Sequence, residues 1–256
     1  MLDRIQLKRE AKEIVRNARV SAYLVAFIYL ALVTVLALID TYVSGTVVTD
    51  LQELQVFYPE IRIPEFLLWA TEIPATVVIF VSILVALLTA VLGAGWALYH
   101  LGVRLGEEME WTTLFDGFSF VGKVILLNLA VSVSITLWTF VLVVPGIIAS
   151  YRLRFAVYNL CENPEIGILE AMNMSTAQTR DYKMDLFVLD LTFVGWSLLS
   201  VLTLGILSIW IDPYIAQTNI GYFQQLKRIK GIGWFPPQEN PDDGQFHGQD
   251  PFGTNI

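Results

Sequence analysis

Four charged side chains lie inside or at the edges of long apolar stretches of this sequence: Arg152, Arg154, Asp190 and Asp212. If such stretches cross a membrane, each charge costs at least about 2.5–3.5 kcal/mol on insertion scales and needs a partner; such groups often mark substrate or ion paths. We expect Arg152 and Asp212 to lie close together, or Arg154 or Asp190 to join them in a polar cluster. The alternatives are a structural ion pair or a snorkelling arginine, or an Arg152 side chain in a water-filled outer funnel.

The types of residue in the sequence give little support for catalytic chemistry. The single cysteine, Cys161, excludes an internal disulfide and a cysteine-based zinc site, and His100 and His247 are far apart in the sequence. Ser175 and Thr176 are not part of a Gly-x-Ser-x-Gly nucleophile motif. We therefore expect no catalytic residues, no metal and no cofactor, and we predict that the protein is not an enzyme.

The composition indicates a membrane protein. Of the 256 residues 55% are hydrophobic and only 16% are charged, against roughly 25% charged in soluble domains. The mean hydropathy is +0.59, and several long runs carry no charge. Despite a net charge of −8, basic residues cluster only beside the apolar runs, which excludes a nucleic-acid partner. The expected partner is the lipid bilayer, with a membrane-protein partner or a second copy of the chain left open.

Residues 123–152 decide the topology. Between Lys123 and Arg152 there are 28 residues without a formal charge, more than the roughly 20 that a membrane helix needs. Pro145 and Gly146 interrupt this run, so it is either one kinked helix or two helices joined by a turn. The two-helix interpretation gives six crossings and the one-helix interpretation gives four. Six is favoured, because four crossings leave a group of basic residues outside, against the positive-inside rule: Arg152, Arg154, Arg180 and Lys183.

An apparent repeat supports two tandem helical hairpins in the C-terminal half. Residues 183–226 echo residues 123–160, with Leu189-Asp190-Leu191 in the place of Leu127-Asn128-Leu129. In the second unit, Gly205 occupies the turn position that Pro145 and Gly146 occupy in the first. Each unit is thus predicted to be two crossings joined by a glycine-containing turn.

The predicted fold is an all-α bundle of membrane helices over residues 21–230. Residues 1–20 are predicted to form a cytoplasmic amphipathic segment, either on the membrane surface or as a solvated lead-in helix. The Gly-, Pro- and Asp-rich residues 231–256 predict a disordered acidic tail. The positive-inside rule places both termini in the cytoplasm of a cell-membrane protein. The predicted crossings are 21–39, 74–103, 123–143, 145–161, 185–202 and 205–227.

Small residues recur on the second predicted crossing. Ala86, Ala90 and Ala94 are four residues apart, and Gly93 and Ala97 form a neighbouring pair with the same spacing. Small side chains at this spacing let a neighbouring helix approach closely. We interpret these five residues as a helix-packing face.

The sequence contains Leu114-Phe115-Asp116-Gly117-Phe118, Val144-Pro145-Gly146-Ile147-Ile148, Glu162-Asn163-Pro164-Glu165, Phe193-Val194-Gly195-Trp196 and Leu202-Thr203-Leu204-Gly205-Ile206. These motifs resemble a bacterial family of multi-pass membrane proteins, domain-of-unknown-function family 975. The resemblance covers roughly residues 1–228 and is most specific from residue 114 onward. The family is distantly similar to the membrane domains attached to glycerophosphodiester phosphodiesterases. The resemblance implies a six-helix bundle in the cytoplasmic membrane and no particular reaction.

Two classes of function follow from these features. The first is a non-enzymatic membrane protein that acts as a scaffold or accessory protein or handles a lipid. The second is a small transporter or channel that uses the charged residues inside the membrane, because Gly/Pro-interrupted segments in repeated units are typical of transporter binding sites.

Overall fold

The structure, a computed structural model, describes residues 4–18, 21–68 and 73–233. Over these ranges every regular element is a helix, which confirms the predicted all-α class. Of the predicted tail only residues 231–233 are described, and His247 lies outside the described residues. A 3₁₀ helix, Trp111–Phe120, precedes α6. The α-helices are α1 (Arg4–Asn17), α2 (Ala22–Val43), α3 (Thr46–Phe57), α4 (Glu65–Leu68), α5 (Ala75–Leu105), α6 (Val121–Val141), α7 (Val143–Leu153), α8 (Ala156–Glu162), α9 (Ile168–Gln178), α10 (Lys183–Leu202) and α11 (Ser208–Lys230).

In the parts of the chain that the structure describes, four helices are long and apolar enough to cross a membrane. They are α2, α5, α6 together with the 3₁₀ helix before it, and α10. The sequence-based assignment to the membrane proteins is thereby supported. The other two predicted crossings, 145–161 and 205–227, are not among these four helices. The first is broken, and the second corresponds to α11, which buries the polar residues Gln217 and Thr218 inside the protein.

The segment predicted as one crossing over residues 145–161 consists of two helices. α7 and α8 are separated by a turn at Arg154 and Phe155. The Ser175 hydroxyl on α9 lies at this break, where it donates to the Arg152 carbonyl (2.9 Å) and accepts from the Phe155 N–H (3.0 Å). A side chain that inserts into the backbone hydrogen-bond ladder kinks a helix. The Ser175 side chain on α9 therefore stabilises the break between α7 and α8.

The chain turns back between α6 and α7 at Leu142, whose backbone is extended (φ −164°, ψ 150°). The predicted turn residues, Pro145 and Gly146, follow this turn instead of forming it. Pro145 lies in the first turn of α7, where a missing N–H costs no intrahelical hydrogen bond. Gly146 packs so closely against Thr139 of α6 that a Cβ at this position would overlap it. The other predicted turn residue, Gly205, does lie in the turn between α10 and α11, with φ +84°.

The buried core lies toward one end of the helices. On α5 the buried residues begin at Val91, and on α10 they include Leu186, Leu189 and Phe193 near its beginning. The opposite ends of the same helices, and the adjoining ends of α6 and α7, expose large apolar side chains such as Phe80, Phe140 and Leu202. In a bilayer, this second end has its apolar surface in contact with lipid.

Helix α1 packs against the bundle through its apolar stripe. Leu7, Ala11 and Val15, four residues apart, are buried, mainly against α11. Arg4 forms a salt bridge with Asp185 at the beginning of α10 (2.6 Å). The stripe therefore faces protein, although its amphipathic pattern alone suits a membrane surface equally well.

The closest approach of α5 to a neighbour is made by Gly95. A Cβ on Gly95 would overlap the Leu114 carbonyl of the 3₁₀ helix, and a Cβ on Gly117 would come within 2.5 Å of the Val91 carbonyl. These two glycines, and not the predicted Gly93, let the two helices meet. Of the predicted packing face, Ala94 and Ala97 are buried, Ala86 is exposed, and Ala90 and Gly93 border a cleft.

Candidate functional site

Arg154 and Asp190 form the centre of a polar cluster between α7, α10 and α11. Arg154 lies in the turn after α7, and its two Nη atoms donate to the two carboxylate oxygens of Asp190, at 2.5 and 2.7 Å. Tyr151 donates its hydroxyl to Asp190 (2.9 Å), and Arg154 also donates to the side-chain oxygen of Asn219 (3.0 Å). A two-pronged, charge-assisted contact of this kind is strong and geometrically specific. Two of the four predicted charges are thus brought together.

Arg152 and Asp212 do not meet each other or this cluster. The Arg152 guanidinium lies 6.0 Å from the centre of the Trp138 ring on α6. Asp212 borders a different cavity, of about 430 Å³, with Ser200 of α10 and Ser208 of α11. No contact between Arg152 and Asp212 occurs among the described residues, contrary to the expectation that they lie close together. Arg152 lies beside Trp138 of α6, whereas Asp212 lies beside α10.

A second layer of polar contacts joins α8, α9 and α11. Asn159 and Gln178, both fully buried, exchange two hydrogen bonds of 2.9 and 2.8 Å. Lys227 donates to both carboxylate oxygens of Glu162, at 2.8 and 2.7 Å. These contacts link α8, α9 and α11 at the buried end of the bundle.

A polar cavity of about 870 Å³ lies between α1, α5 and α11. Arg104 borders it and donates to the Glu10 carboxylate and to the Gln217 carbonyl, both at 3.2 Å. Behind it, the buried His100 contacts the Gln217 side-chain amide through Nδ1 (3.0 Å) and through its carbonyl (2.9 Å). No group of three His, Cys, Asp or Glu side chains in the described parts of the chain could hold a metal ion. The cavity therefore has charged walls.

A lateral cleft of about 760 Å³ lies at the lipid-facing end of the bundle, between α2, α5, α6 and α8. We call it the α2–α5 cleft. Gly93 borders it, and a Cβ built on Gly93 meets no other atom within 4 Å, so the space beside it is open. Polar atoms occur at Thr89 and Asn128 along its length. Its small lining residues are Ala37, Ala86, Ala90, Gly93 and Ala94.

The α2–α5 cleft has a polar end formed by Asp40 and Ser82. The Ser82 hydroxyl on α5 donates to Oδ1 of Asp40 on α2, at 2.5 Å. Thr41, beside Asp40, also borders the cleft. The cleft thus combines an apolar, small-residue slot with one carboxylate at its end, which suits an amphipathic molecule better than a small polar solute.

Asp40 and Ser82 were not predicted from the sequence as site residues. A signal was available, because Asp40 follows the apolar run of α2 and Ser82 lies within the equally apolar α5. Their pairing could not be predicted without knowing which faces of α2 and α5 meet. Ser175 gave no signal, since a serine within a helix has no distinctive spacing.

The comparison with protein families matches the C-terminal part of the chain. The model of the family described as "Protein of unknown function (DUF975)" covers residues 140–230, from the end of α6 to the end of α11. This match confirms the resemblance to domain-of-unknown-function family 975 over that segment. The similarity to membrane domains of glycerophosphodiester phosphodiesterases stays a prediction. No curated protein and no solved structure matches the chain.

Proposed function

We propose that this chain is a multi-pass protein of the cell membrane that binds a membrane lipid in the α2–α5 cleft and catalyses no reaction. The observation that carries the proposal is the open cleft itself, with its polar end at Asp40. Along the cleft wall formed by α5, Ser82 and Gly93 are eleven residues apart, which is about 16 Å along a helix. That distance is close to one leaflet's share, about 15 Å, of a bilayer core. One acyl chain fits this length.

The proposed topology has six crossings, with both termini in the cytoplasm. Two sets of contacts support it. α7 and α8 run back along α6, with Gly146 beside Thr139 at one end and Lys123 bonded to the Pro164 carbonyl at the other. α11 starts beside the end of α10, where Ser200 and Ser208 are hydrogen-bonded (2.6 Å). Each pair then forms a hairpin, and the broken α7–α8 pair and the polar α11 cross within the protein interior.

The test is to measure which lipids remain bound after purification. The wild-type protein is extracted in a mild detergent, and bound lipid is counted by native mass spectrometry. The Cβ of Gly93→Leu lies in open space, so the leucine side chain extends into the cleft, and we expect the variant to lose the bound lipid. Gly195→Leu is the matched control, because Gly195 is also a helical glycine with open space around it, on α10 away from the cleft. Equal lipid binding in the two variants would refute the proposed site.

The transporter alternative has weaker support. It relied on Arg152, Arg154, Asp190 and Asp212 acting as one cluster, whereas Arg154 and Asp190 bind each other and the remaining two side chains lie elsewhere. Flux through reconstituted protein that disappears in Asp190→Asn would favour the alternative over lipid binding. A role as an accessory to a membrane partner, or to a second copy of the chain, stays a prediction that crosslinking in native membranes tests.

A further inference from the structure

The chemistry at the polar end of the α2–α5 cleft selects a class of lipid. We propose that the bound lipid carries a primary ammonium in its headgroup, as phosphatidylethanolamine does, and that this ammonium binds the Asp40 carboxylate. The inference rests on the proposed function, because it presumes that a lipid occupies the cleft. The inference adds the identity of the headgroup and of the residue that binds it.

The depth of Asp40 places it at the headgroups. Asp40 lies in the last turn of α2, eighteen residues after Ala22, which is about 27 Å along a helix. The hydrocarbon core of a bilayer is about 30 Å thick. A helix whose first turn lies at one interface therefore carries Asp40 to the opposite interface. The apolar part of the cleft, from Ser82 toward Gly93, then extends from that interface into the core.

The charge of Asp40 is not matched by any basic side chain within the described ranges. Among the residues that the structure describes, no lysine or arginine forms an ion pair with Asp40. Arg62 is the only lysine or arginine in the sequence between residues 21 and 103. Ser82 donates to Oδ1, and Oδ2 has no hydrogen-bond partner among the described residues. A carboxylate at the edge of hydrocarbon is stabilised by a cationic partner, and the headgroup layer is where such a partner is found.

A primary ammonium fits this carboxylate better than the other common headgroups do. It has three N–H donors, so it can form a charge-assisted hydrogen bond with Oδ2 while Ser82 keeps its bond to Oδ1. A quaternary choline group has the same charge but no N–H donor. A glycerol headgroup leaves the lipid with a net negative charge, which the carboxylate repels. The expected order of preference is ethanolamine, then choline, then glycerol.

The experiment uses the full-length protein in nanodiscs that contain equal parts of phosphatidylethanolamine, phosphatidylcholine and phosphatidylglycerol with identical acyl chains. The lipid that stays bound after transfer to detergent is identified by native mass spectrometry. We expect the wild type to retain ethanolamine lipid about tenfold over choline lipid, the ratio typical of one charge-assisted hydrogen bond. Asp40→Asn should retain as much total lipid but lose the preference. The control Asp50→Asn, which changes an exposed acid on α3, should behave as the wild type does.

The outcomes separate the two proposals. If the wild type retains no lipid, or if Gly93→Leu retains as much as the wild type, the lipid-binding function itself fails. If the wild type retains lipid without a preference for the primary ammonium, or if folded Asp40→Asn keeps that preference, only the headgroup assignment fails. The ethanolamine-to-choline ratio is measured on the wild type, so it decides the assignment even if Asp40→Asn does not fold.

Discussion

The buried amide pair between α8 and α9 provides a sharp test of how the bundle is held together. Asn159 and Gln178 are 1% and 0% exposed, and each side-chain amide donates to the oxygen of the other. Gln178 also donates to the Ile232 carbonyl (3.0 Å). Replacing Gln178 by methionine keeps the length of the side chain and removes every one of these hydrogen bonds. The Asn159 amide is then buried with a donor and an acceptor that have lost their partner.

The expected cost follows from these two groups. A buried polar group left without a partner costs about 1–3 kcal/mol, so Gln178→Met should lose about 2–6 kcal/mol of the free energy of unfolding. The double variant Asn159→Leu/Gln178→Met removes both partners and leaves neither amide unpaired. We expect the double variant to be more stable than Gln178→Met alone by about 1–3 kcal/mol. The second substitution should thus partly reverse the effect of the first.

The measurement is reversible unfolding in mixed micelles with increasing SDS. Gln52→Met serves as the control, because Gln52 is an exposed glutamine on α3, and we expect a change within about 0.5 kcal/mol. If Gln178→Met unfolds as the wild type does, the amide pair is not buried as described. If the double variant loses the sum of the two single losses, the two amides do not interact, and the placement of α9 against α8 is incorrect.

Three further predictions concern individual side chains. Ser175→Ala should cost about 1–3 kcal/mol of unfolding free energy, because the buried Phe155 N–H loses its acceptor; an unchanged SDS midpoint would contradict this role. Gly95→Ala should lower the free energy of unfolding by about 1–3 kcal/mol, because its Cβ overlaps the 3₁₀ helix. Gly93→Ala places its Cβ in open space and should leave that free energy unchanged or raise it by about 0.5–1 kcal/mol. The same unfolding assay separates the two variants. The buried Cys161 thiol should resist maleimide in the folded protein and react once SDS unfolds it, and rapid labelling of the folded protein would show that α8 is not in the core.

The parts of the fold that depend on composition could be predicted from the sequence. Long uncharged runs predict long apolar helices, because the period and length of such a run constrain it locally. The sequence predicts that a buried arginine has an acidic partner, but not which acidic residue that partner is. The requirement that an intramembrane arginine be paired is physical, but the choice of Asp190 over Asp212 depends on where α7 begins and breaks. That break is made by Ser175, whose position is set by tertiary packing.

Most errors in the predictions from sequence concern which neighbour a given face of a helix packs against. Gly93 and Gly95 are equally small, and two residues on a helix point about 200° apart, so only knowledge of the neighbouring helix separates a packing glycine from one that borders a cleft. The same limit applies to α1, since a stripe of Leu7, Ala11 and Val15 has the same period whether it faces lipid or α11. Sequence periodicity reports that a face is apolar and does not report what covers it.

The two ends of the bundle differ in the number of polar contacts between their helices, and this difference explains how an open cleft can persist. The buried end is cross-linked by polar contacts between helices, among them Arg154 with Asp190 and Asn159 with Gln178. The lipid-facing end has few such contacts, and Ser82 with Asp40 is one that joins its helices. Because the helices are fixed at one end, the α2–α5 cleft does not need to collapse in order for the protein to be stable. Substitutions that fill the cleft should therefore change lipid binding with little effect on unfolding, while substitutions at the buried end should do the reverse. Lipid binding and unfolding measured on Gly93→Leu and Gln178→Met together decide whether the two ends are independent in this way.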